Sequence, residues 1–379
     1  GIVMLTESRA PQFDLNNVHK HLELKGYEDP FLLVDTDILR HNASRFMAAM
    51  PRVQPHFAVK SNPDDRVLSC LNDEGVKFEI ASKTELDALL EMNVAAKDIF
   101  YSNPVKSRRY LQHAADMGVE WYVIDSAEEL EKVIAVKPDA KLYLRIYTTN
   151  EGSGYALSSK FGAHTKDINT IIDLAAKRQA DLAGVTFHVG SQCTNVNNWR
   201  VGIQEARKVF DQMIAAGLKP RLLNLGGGYP VELGEPVPSI NEIGAVINHE
   251  LTAFPDSVQI IAEPGRFMVA DAGYFVSQVV GKTIREGKPW LYIDAGFYGG
   301  LIELKDGLGY QMLTDKTGDL VSTTVAGPTC DSIDVCVESQ ALPCDIAEHD
   351  FLYIKNAGAY SSACASEFNG FPIPGVVII

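Results

Sequence analysis

Between residues 31 and 270 the chain repeats one pattern eight times: a short apolar run rich in β-branched residues, then a stretch whose apolar residues recur at three- and four-residue spacing. Short runs of the first kind read as strands and longer stretches of the second as amphipathic helices, so the pattern is one of successive βα units. The predicted strands are 53–59, 76–81, 98–102, 120–125, 141–147, 184–189, 221–225 and 258–262, with helical segments such as 83–92, 127–136, 166–177, 199–216 and 240–254 between them. Eight βα units in about 240 residues predict an α/β chain closed into a (β/α)8 TIM barrel rather than an open doubly wound sheet. After residue 270 the pattern changes to strand-like runs at 274–280, 290–294, 320–325 and 350–354 without long helices between them. They predict a second, mostly antiparallel β domain. The first 30 residues are polar and irregular, and are expected to pack on that domain or fray. The expected division is therefore a barrel of residues 31–272 and a β domain of residues 273–379 joined by residues 1–30.

Composition narrows the function classes. With 379 residues and 46% hydrophobic content the chain can bury a large core and exceeds what one ordinary domain needs. No uncharged apolar run is long enough to span a membrane, and no basic flank precedes a short apolar stretch at the start, so a soluble cytoplasmic protein is expected. Cys70, Cys193, Cys330, Cys336, Cys344 and Cys364 have no CxxC spacing, which predicts free thiols and no structural metal. A formal net charge of −15 argues against nucleic acid or an anionic membrane as partner and suits a cationic small molecule.

Barrels of this kind carry chemistry at the C-terminal ends of their strands, so the informative residues are those each strand delivers there. The first ends in Ala58-Val59-Lys60-Ser61-Asn62. A lysine partly desolvated at that position can form a Schiff base with an aldehyde cofactor, although a surface lysine opening a loop is the plainer reading of this segment alone. The sixth ends in Phe187-His188-Val189-Gly190-Ser191, a histidine at the mouth with a hydroxyl three residues on; a core histidine bonded to backbone fits as well. The seventh ends in Leu225-Gly226-Gly227-Gly228, whose missing side chains let backbone N–H groups approach an anion. The eighth ends in Glu263-Pro264-Gly265-Arg266, adding a guanidinium. Phosphate commonly sits at the loops after strands seven and eight, so these two signals reinforce each other.

The later part of the chain adds three segments. Gly327 to Asp334 combines the Cys330 thiol with the carboxylates of Asp331 and Asp334 in a turn-rich stretch. Gly358-Ala359-Tyr360 and the following Glu367-Phe368-Asn369-Gly370-Phe371 offer a phenol and aromatic rings beside glycines, with core packing the plainer role for the phenylalanines. Residues 298–306 include Glu303 and Asp306, either a substrate-facing acidic segment or an exposed turn.

Taken together, the segments FAVKSN, ASKTEL, KFGAH, FHVGSQC, LGGGYP, EPGRF, AGPTCDSID and GAYSSACASEFNGFP resemble the fold-type III decarboxylases that use pyridoxal 5'-phosphate (PLP), whose barrel is alanine racemase-like, and most closely the bacterial ornithine decarboxylases. The resemblance runs from about residue 31 to the end of the chain. It implies that Lys60 carries PLP as a Schiff base, that His188 stacks on the pyridine ring and that Glu263 pairs with the ring nitrogen. Ser191, the Gly226, Gly227 and Gly228 backbone, Gly265, Arg266 and Tyr360 would hold the phosphate, with Glu79, Arg145 and Lys160 as supporting residues. Cys330 resembles the thiol that returns a proton to the substrate carbon. Asp331, Phe368 and Glu303, or Asp306 in place of Glu303, would meet the distal end of a basic amino acid. The family's active sites are shared across a homodimer. Glu79 departs from the aspartate common in relatives, keeping the charge.

The implied activity is decarboxylation of a basic amino acid, L-ornithine first, with L-lysine or both as the alternative. A carboxylate at Glu263 keeps the pyridine nitrogen protonated and favours loss of CO2 over racemisation, for which the related racemases place an arginine there. Diaminopimelate decarboxylation would need a cation in residues 299–306, where Lys305 is the only one. Arginine as substrate would need room for a planar guanidinium. A non-catalytic protein resembling the antizyme inhibitors is disfavoured because both Lys60 and Cys330 are retained.

Overall fold

The computed structural model describes residues 14–149, 161–296, 311–331, 334–359 and 375–379. They divide into two compact units, one of residues 43–230 and 237–265, the other of residues up to 42, 231–236 and from 266 onward.

The first unit holds a closed parallel barrel of eight strands: β2 (Val53–Ala58), β3 (Lys77–Ile80), β4 (Ile99–Tyr101), β5 (Trp121–Ile124), β6 (Lys141–Arg145), β7 (Asp181–Thr186), β8 (Leu222–Asn224) and β9 (Gln259–Ala262). Each lies within two to three residues of its predicted position, because short apolar runs between turn residues leave little freedom in register. The ring closes where β2 pairs with β9, Val53 opposite Ile260 and Pro55 opposite Ala262. Its interior is filled by Phe100, Trp121, Val123, Tyr143, Ala183, Leu222 and Ile261, with Phe100 stacked on Trp121 at 5.2 Å between ring centroids. Helices between the strands start on side-chain caps: Ser82 accepts from Glu85 N at Lys83–Glu91, Ser126 from Glu129 N at Ala127–Val136, and Ser239 from Glu242 N at Ile240–Leu251.

The second unit is an eight-stranded sheet built from β1 (Phe31–Val34), β10 (Gly273–Arg285), β11 (Lys288–Ile293), β12 (Met312–Leu313), β13 (Leu320–Ala326), β14 (Val335–Pro343), β15 (Phe351–Ile354) and β16 (Gly375–Ile378). Its pairs are antiparallel except β1 with β16 and β11 with β13. The expectation of an irregular start needs correction: Leu15–Lys25 is a helix capped by Asp14, whose carboxylate accepts from Asn16 N. Leu15, Val18 and Leu22 share one face by their spacing and pack against Phe31, Leu33, Tyr274, Val276 and Tyr353. Among the described residues no helix is long and apolar enough to cross a membrane.

Candidate active site

Lys60 lies in a one-turn 3-10 helix, Val59–Ser61, directly after β2. Val59 and Ser61 are buried while Lys60 is exposed, so the turn anchors itself by its neighbours and presents the amine at the mouth. Across the barrel wall Ala58 pairs with Glu79 and Glu79 with Phe100. Glu79 is only 4% exposed, and its pKa is raised well above the usual carboxylate range, first by burial and then by the neighbouring Glu263 charge, with Lys60 opposing. Glu263 follows β9, and its N–H donates to Gly226 O at 2.7 Å. Its pKa is also raised by burial, against the hydrogen bond from Ser102 and the positive charges of Lys60 and Arg145. The two carboxyls and the amine therefore share one electrostatic field at the C-terminal ends of β2, β3 and β9. Perturbation of this kind, by burial plus specific charge partners, marks functional sites.

His188 follows β7. Its Nδ1 accepts from Gly190 N at 2.9 Å, which leaves the proton of the neutral ring on Nε2. Although part of the residue reaches the surface, the ring is crowded by protein, and burial together with the positive charges of Arg145 and Lys60 lowers its pKa to about 3. It is a neutral, flat surface at any ordinary pH. Arg145 ends β6, stands 5.5 Å from the Phe161 ring centroid, and is held below its usual pKa by burial.

The glycine loop after β8 is pinned on both sides. Gly226 N donates to Asn224 Oδ1 at 2.9 Å, and Gly228 O accepts from Cys193 N at 2.9 Å in the loop after β7, where Ser191 is half-buried. Gly226 and Gly228 have φ of +65° and +92°, in the left-handed region that favours glycine. At Gly227 the constraint is space: a Cβ there would lie 2.8 Å from Glu263 O and 3.5 Å from His188 Nε2. The loop, the imidazole and the Glu263 segment thus crowd one another, and Gly227 has no room for a side chain.

This donor set fits PLP. An amine suited to its aldehyde (Lys60), a carboxyl suited to a pyridine nitrogen (Glu263), a neutral ring suited to stacking (His188) and a glycine cradle suited to a phosphate all lie in one compact unit. Gly265 is buried in that unit against Ser61 and Ala58.

The remaining predicted residues lie in the other unit or outside the described residues. Arg266 opens the short helix Arg266–Val269 and is buried. Cys330 is exposed and Asp331 half-buried. Their neighbour Asp334 is buried and accepts from Thr329 N at 2.9 Å and Thr329 Oγ1 at 2.7 Å, so this carboxylate shapes the turn that carries Cys330. Lys160, Glu303, Asp306, Tyr360 and Phe368 lie outside the described residues. Of the cysteines, Cys70, Cys193, Cys330, Cys336 and Cys344 are free thiols.

Sequence reasoning missed two hydroxyls. Ser102, just after β4, donates to Glu263 Oε2, and its Oγ lies 2.7 Å from Tyr143 Oη. Tyr143 donates to Tyr101 O at 3.1 Å. A signal was present: Tyr143 is two residues before Arg145 on β6, so the two side chains leave the strand on the same side.

Comparison with known proteins agrees with this chemistry. The family described as pyridoxal-dependent decarboxylase, pyridoxal binding domain, matches residues 36–270. An ornithine decarboxylase of Schizosaccharomyces pombe is 37% identical over 366 residues, 93% of this chain and 83% of that one. Lysine/ornithine decarboxylase from Vibrio vulnificus, solved in complex with putrescine, is 34% identical with a TM-score of 0.89, covering 96% of this chain and 98% of that one. Lysine decarboxylase from Selenomonas ruminantium is 29% identical with a TM-score of 0.90, covering 98% and 97%. An amine, two carboxyls with raised pKa and a glycine cradle at the mouth of a closed barrel, in a sequence that the family matches over most of that barrel, place the chain among the pyridoxal-dependent decarboxylases.

Proposed function

We propose that the protein decarboxylates both L-ornithine and L-lysine, releasing the corresponding diamines. The observation that carries the reaction type is the shared field of Lys60, Glu79 and Glu263 beside the neutral ring of His188. The substrate rests on likeness: relatives that act on ornithine, on lysine and on both resemble this chain over nearly its whole length. That support is wider than the ornithine-first expectation, and it favours the dual reading.

In this reading bound PLP supplies the sink for the electron pair left when CO2 departs. Lys60 would provide the amine that holds the cofactor's aldehyde. Glu263 holds the proton balance at the ring nitrogen, and His188 gives a flat uncharged face that adds no positive charge beside Lys60. The Gly226–Gly228 backbone, Ser191, Arg266 and Tyr360 bind the phosphate. Cys330 returns a proton to the α-carbon, while Asp331, Glu303 and Phe368 receive the distal ammonium and its methylene chain. We further propose a homodimer in which Cys330 and Asp331 serve the partner's Lys60.

The test is CO2 release from L- and D-ornithine, L- and D-lysine, L-arginine and meso-diaminopimelate. Turnover of L-ornithine and L-lysine with kcat/KM values within about tenfold, the low end of the roughly 1–3 kcal/mol that one methylene is worth, is the expected result. Faster turnover of diaminopimelate or arginine would overturn the substrate, and no turnover of any of them with PLP bound would overturn the activity.

A further inference from the structure

We propose that Ser102 and Tyr143 are positioning residues which form a two-hydroxyl relay that holds the Glu263 carboxyl and adapts to its protonation state. The proposal rests on the reading above in one respect, that Glu263 faces the pyridine nitrogen.

The geometry is a chain of four oxygens: Glu263 Oε2, Ser102 Oγ, Tyr143 Oη and Tyr101 O. Tyr143 is buried in the barrel interior, and Ser102 sits at the rim, held by its own N–H to Ile80 O at 2.9 Å. Ser102 also meets the Glu79 carboxyl and Asn224 the Glu263 carboxyl; along the four-oxygen chain itself, proton counting gives two arrangements. When Glu263 is neutral, its O–H donates to Ser102, Ser102 donates to Tyr143, and Tyr143 donates to Tyr101 O. Three protons fill three bonds. When Glu263 is ionised, Ser102 donates to the carboxylate and Tyr143 donates to Ser102, so two protons fill two bonds and Tyr101 O loses its donor. The carboxyl therefore keeps a hydrogen bond in either state, and the cost of changing state is one exchanged bond to a backbone carbonyl.

That property matters at this position. Crowded by protein, Glu263 tends to keep its proton, whereas a partner for a protonated pyridine nitrogen must be an anion. Were Glu263 to give up its proton toward a bound ring nitrogen, the relay would reverse, with both hydroxyls turning toward the carboxylate. A hydrogen bond to a charged group contributes more than one between neutral groups, so reversal favours the ionised form at the moment it is needed. Without Ser102 the carboxylate would lose this donor, and without Tyr143 Oη the serine would have one acceptor lone pair unmet in the ionised state.

The experiment uses the full chain with Ser102→Ala, Ser102→Thr, Tyr143→Phe and Glu263→Gln. Isotope-edited infrared spectra of glutamate-labelled protein, without PLP, locate the protonated-carboxyl band that Glu263→Gln removes. The relay predicts that this band moves to higher frequency in Ser102→Ala and returns toward its original place in Ser102→Thr, with Tyr143→Phe intermediate. In the holoenzyme, Ser102→Ala should weaken PLP affinity and lower kcat by about tenfold or more with KM little changed. Tyr143→Phe breaks the chain at a second place, so it tests the relay even if Ser102→Ala folds poorly. An unchanged infrared band in both variants would overturn the relay, whatever happens to activity. Wild-type PLP affinity and turnover in Glu263→Gln would instead overturn the pyridine-nitrogen role, leaving the infrared result to decide the hydroxyl chain by itself.

Discussion

The charge of Glu263 makes the buried Glu79 carboxyl harder to ionise, with the Lys60 amine opposing, and crowding by protein raises the pKa of the half-buried Glu263 as well. Their folded pKa values lie above the ordinary 4.5, so the folded chain binds more protons than the unfolded chain. Stability is then fully present below about 4.5 and falls as pH rises through the raised values. Removing one carboxyl by Glu79→Gln should flatten that decline and raise the melting temperature of the PLP-free chain more at pH 8 than at pH 5. Parallel pH curves for wild type and variant would contradict the coupling.

His188 has the opposite sign. Its pKa falls from 6.5 to about 3 on folding, so the unfolded chain binds the extra proton. The resulting penalty begins as pH drops below about 6.5 and is complete below about 3. His188→Asn, which cannot charge, should lose less stability than wild type between pH 7 and pH 4. Calorimetry of the PLP-free proteins at both pH values checks this, and equal losses would count against it.

Gly227 should not tolerate a methyl group. The added Cβ would meet Glu263 O at 2.8 Å and come within 3.5 Å of His188 Nε2. Overpacking of this kind costs about 1–3 kcal/mol, so Gly227→Ala should weaken PLP binding by roughly tenfold or more. Spectrophotometric titration with PLP measures it. Unaltered affinity would mean that the loop moves freely.

Much of this was legible in the sequence, and the reason is periodicity. The strand ends carrying Lys60, His188, Gly226–Gly228 and Glu263 follow apolar runs whose length and spacing are local properties. What the sequence hid is non-local. Phe31–Val34 reads as the start of a barrel, yet it pairs with Tyr274 on one side and with Val376 and Val377 on the other, partners no nearby pattern reveals. The Leu15–Lys25 helix was hidden because its apolar face has only three widely spaced members in a polar stretch. Tyr143 shares a side of β6 with Arg145, but its contact with Ser102 spans 41 positions and no local pattern reveals it.

Lys106 tests structure rather than chemistry. Its side chain is fully buried, donating to Val123 O at 2.6 Å and Asn103 O at 3.0 Å, with Glu129 at 3.1 Å. Burial lowers its pKa to about 8 despite the carboxylate. Lys106→Ala should destabilise the chain by about 2–5 kcal/mol because it empties a buried site and removes the donor from Val123 O and Asn103 O, while Glu129 keeps Lys132 at 2.6 Å; Lys106→Met, which refills the space, should cost less. Denaturant midpoints compare the two, and a methionine variant no more stable than the alanine one would refute the packing account.

The proposed shared site predicts complementation. Lys60→Ala and Cys330→Ala, each nearly inactive alone, should regain activity when their subunits are mixed and exchanged. Random assortment makes roughly half the dimers hybrids, each with one intact site, so about a quarter of all sites recover. No recovery after demonstrated exchange would mean that each chain supplies its own thiol.

The pairing of β2 with β9 has a consequence for how the chain is made. Synthesis delivers β2 first and β9 last among the barrel strands, so the ring cannot close until nearly the whole unit exists, and contacts so distant in sequence form slowly. Throughout that interval β2 is an open edge, a template on which a foreign strand could add. Ala58 N donates across that seam to Pro264 O at 3.0 Å, so by alternation Gln54 and His56 turn their donors to the same edge, whereas the ring nitrogen of Pro55 lies on the β3 side. The open margin therefore keeps its donors exposed until β9 arrives, and the last strand of the barrel is also the one that shields its first.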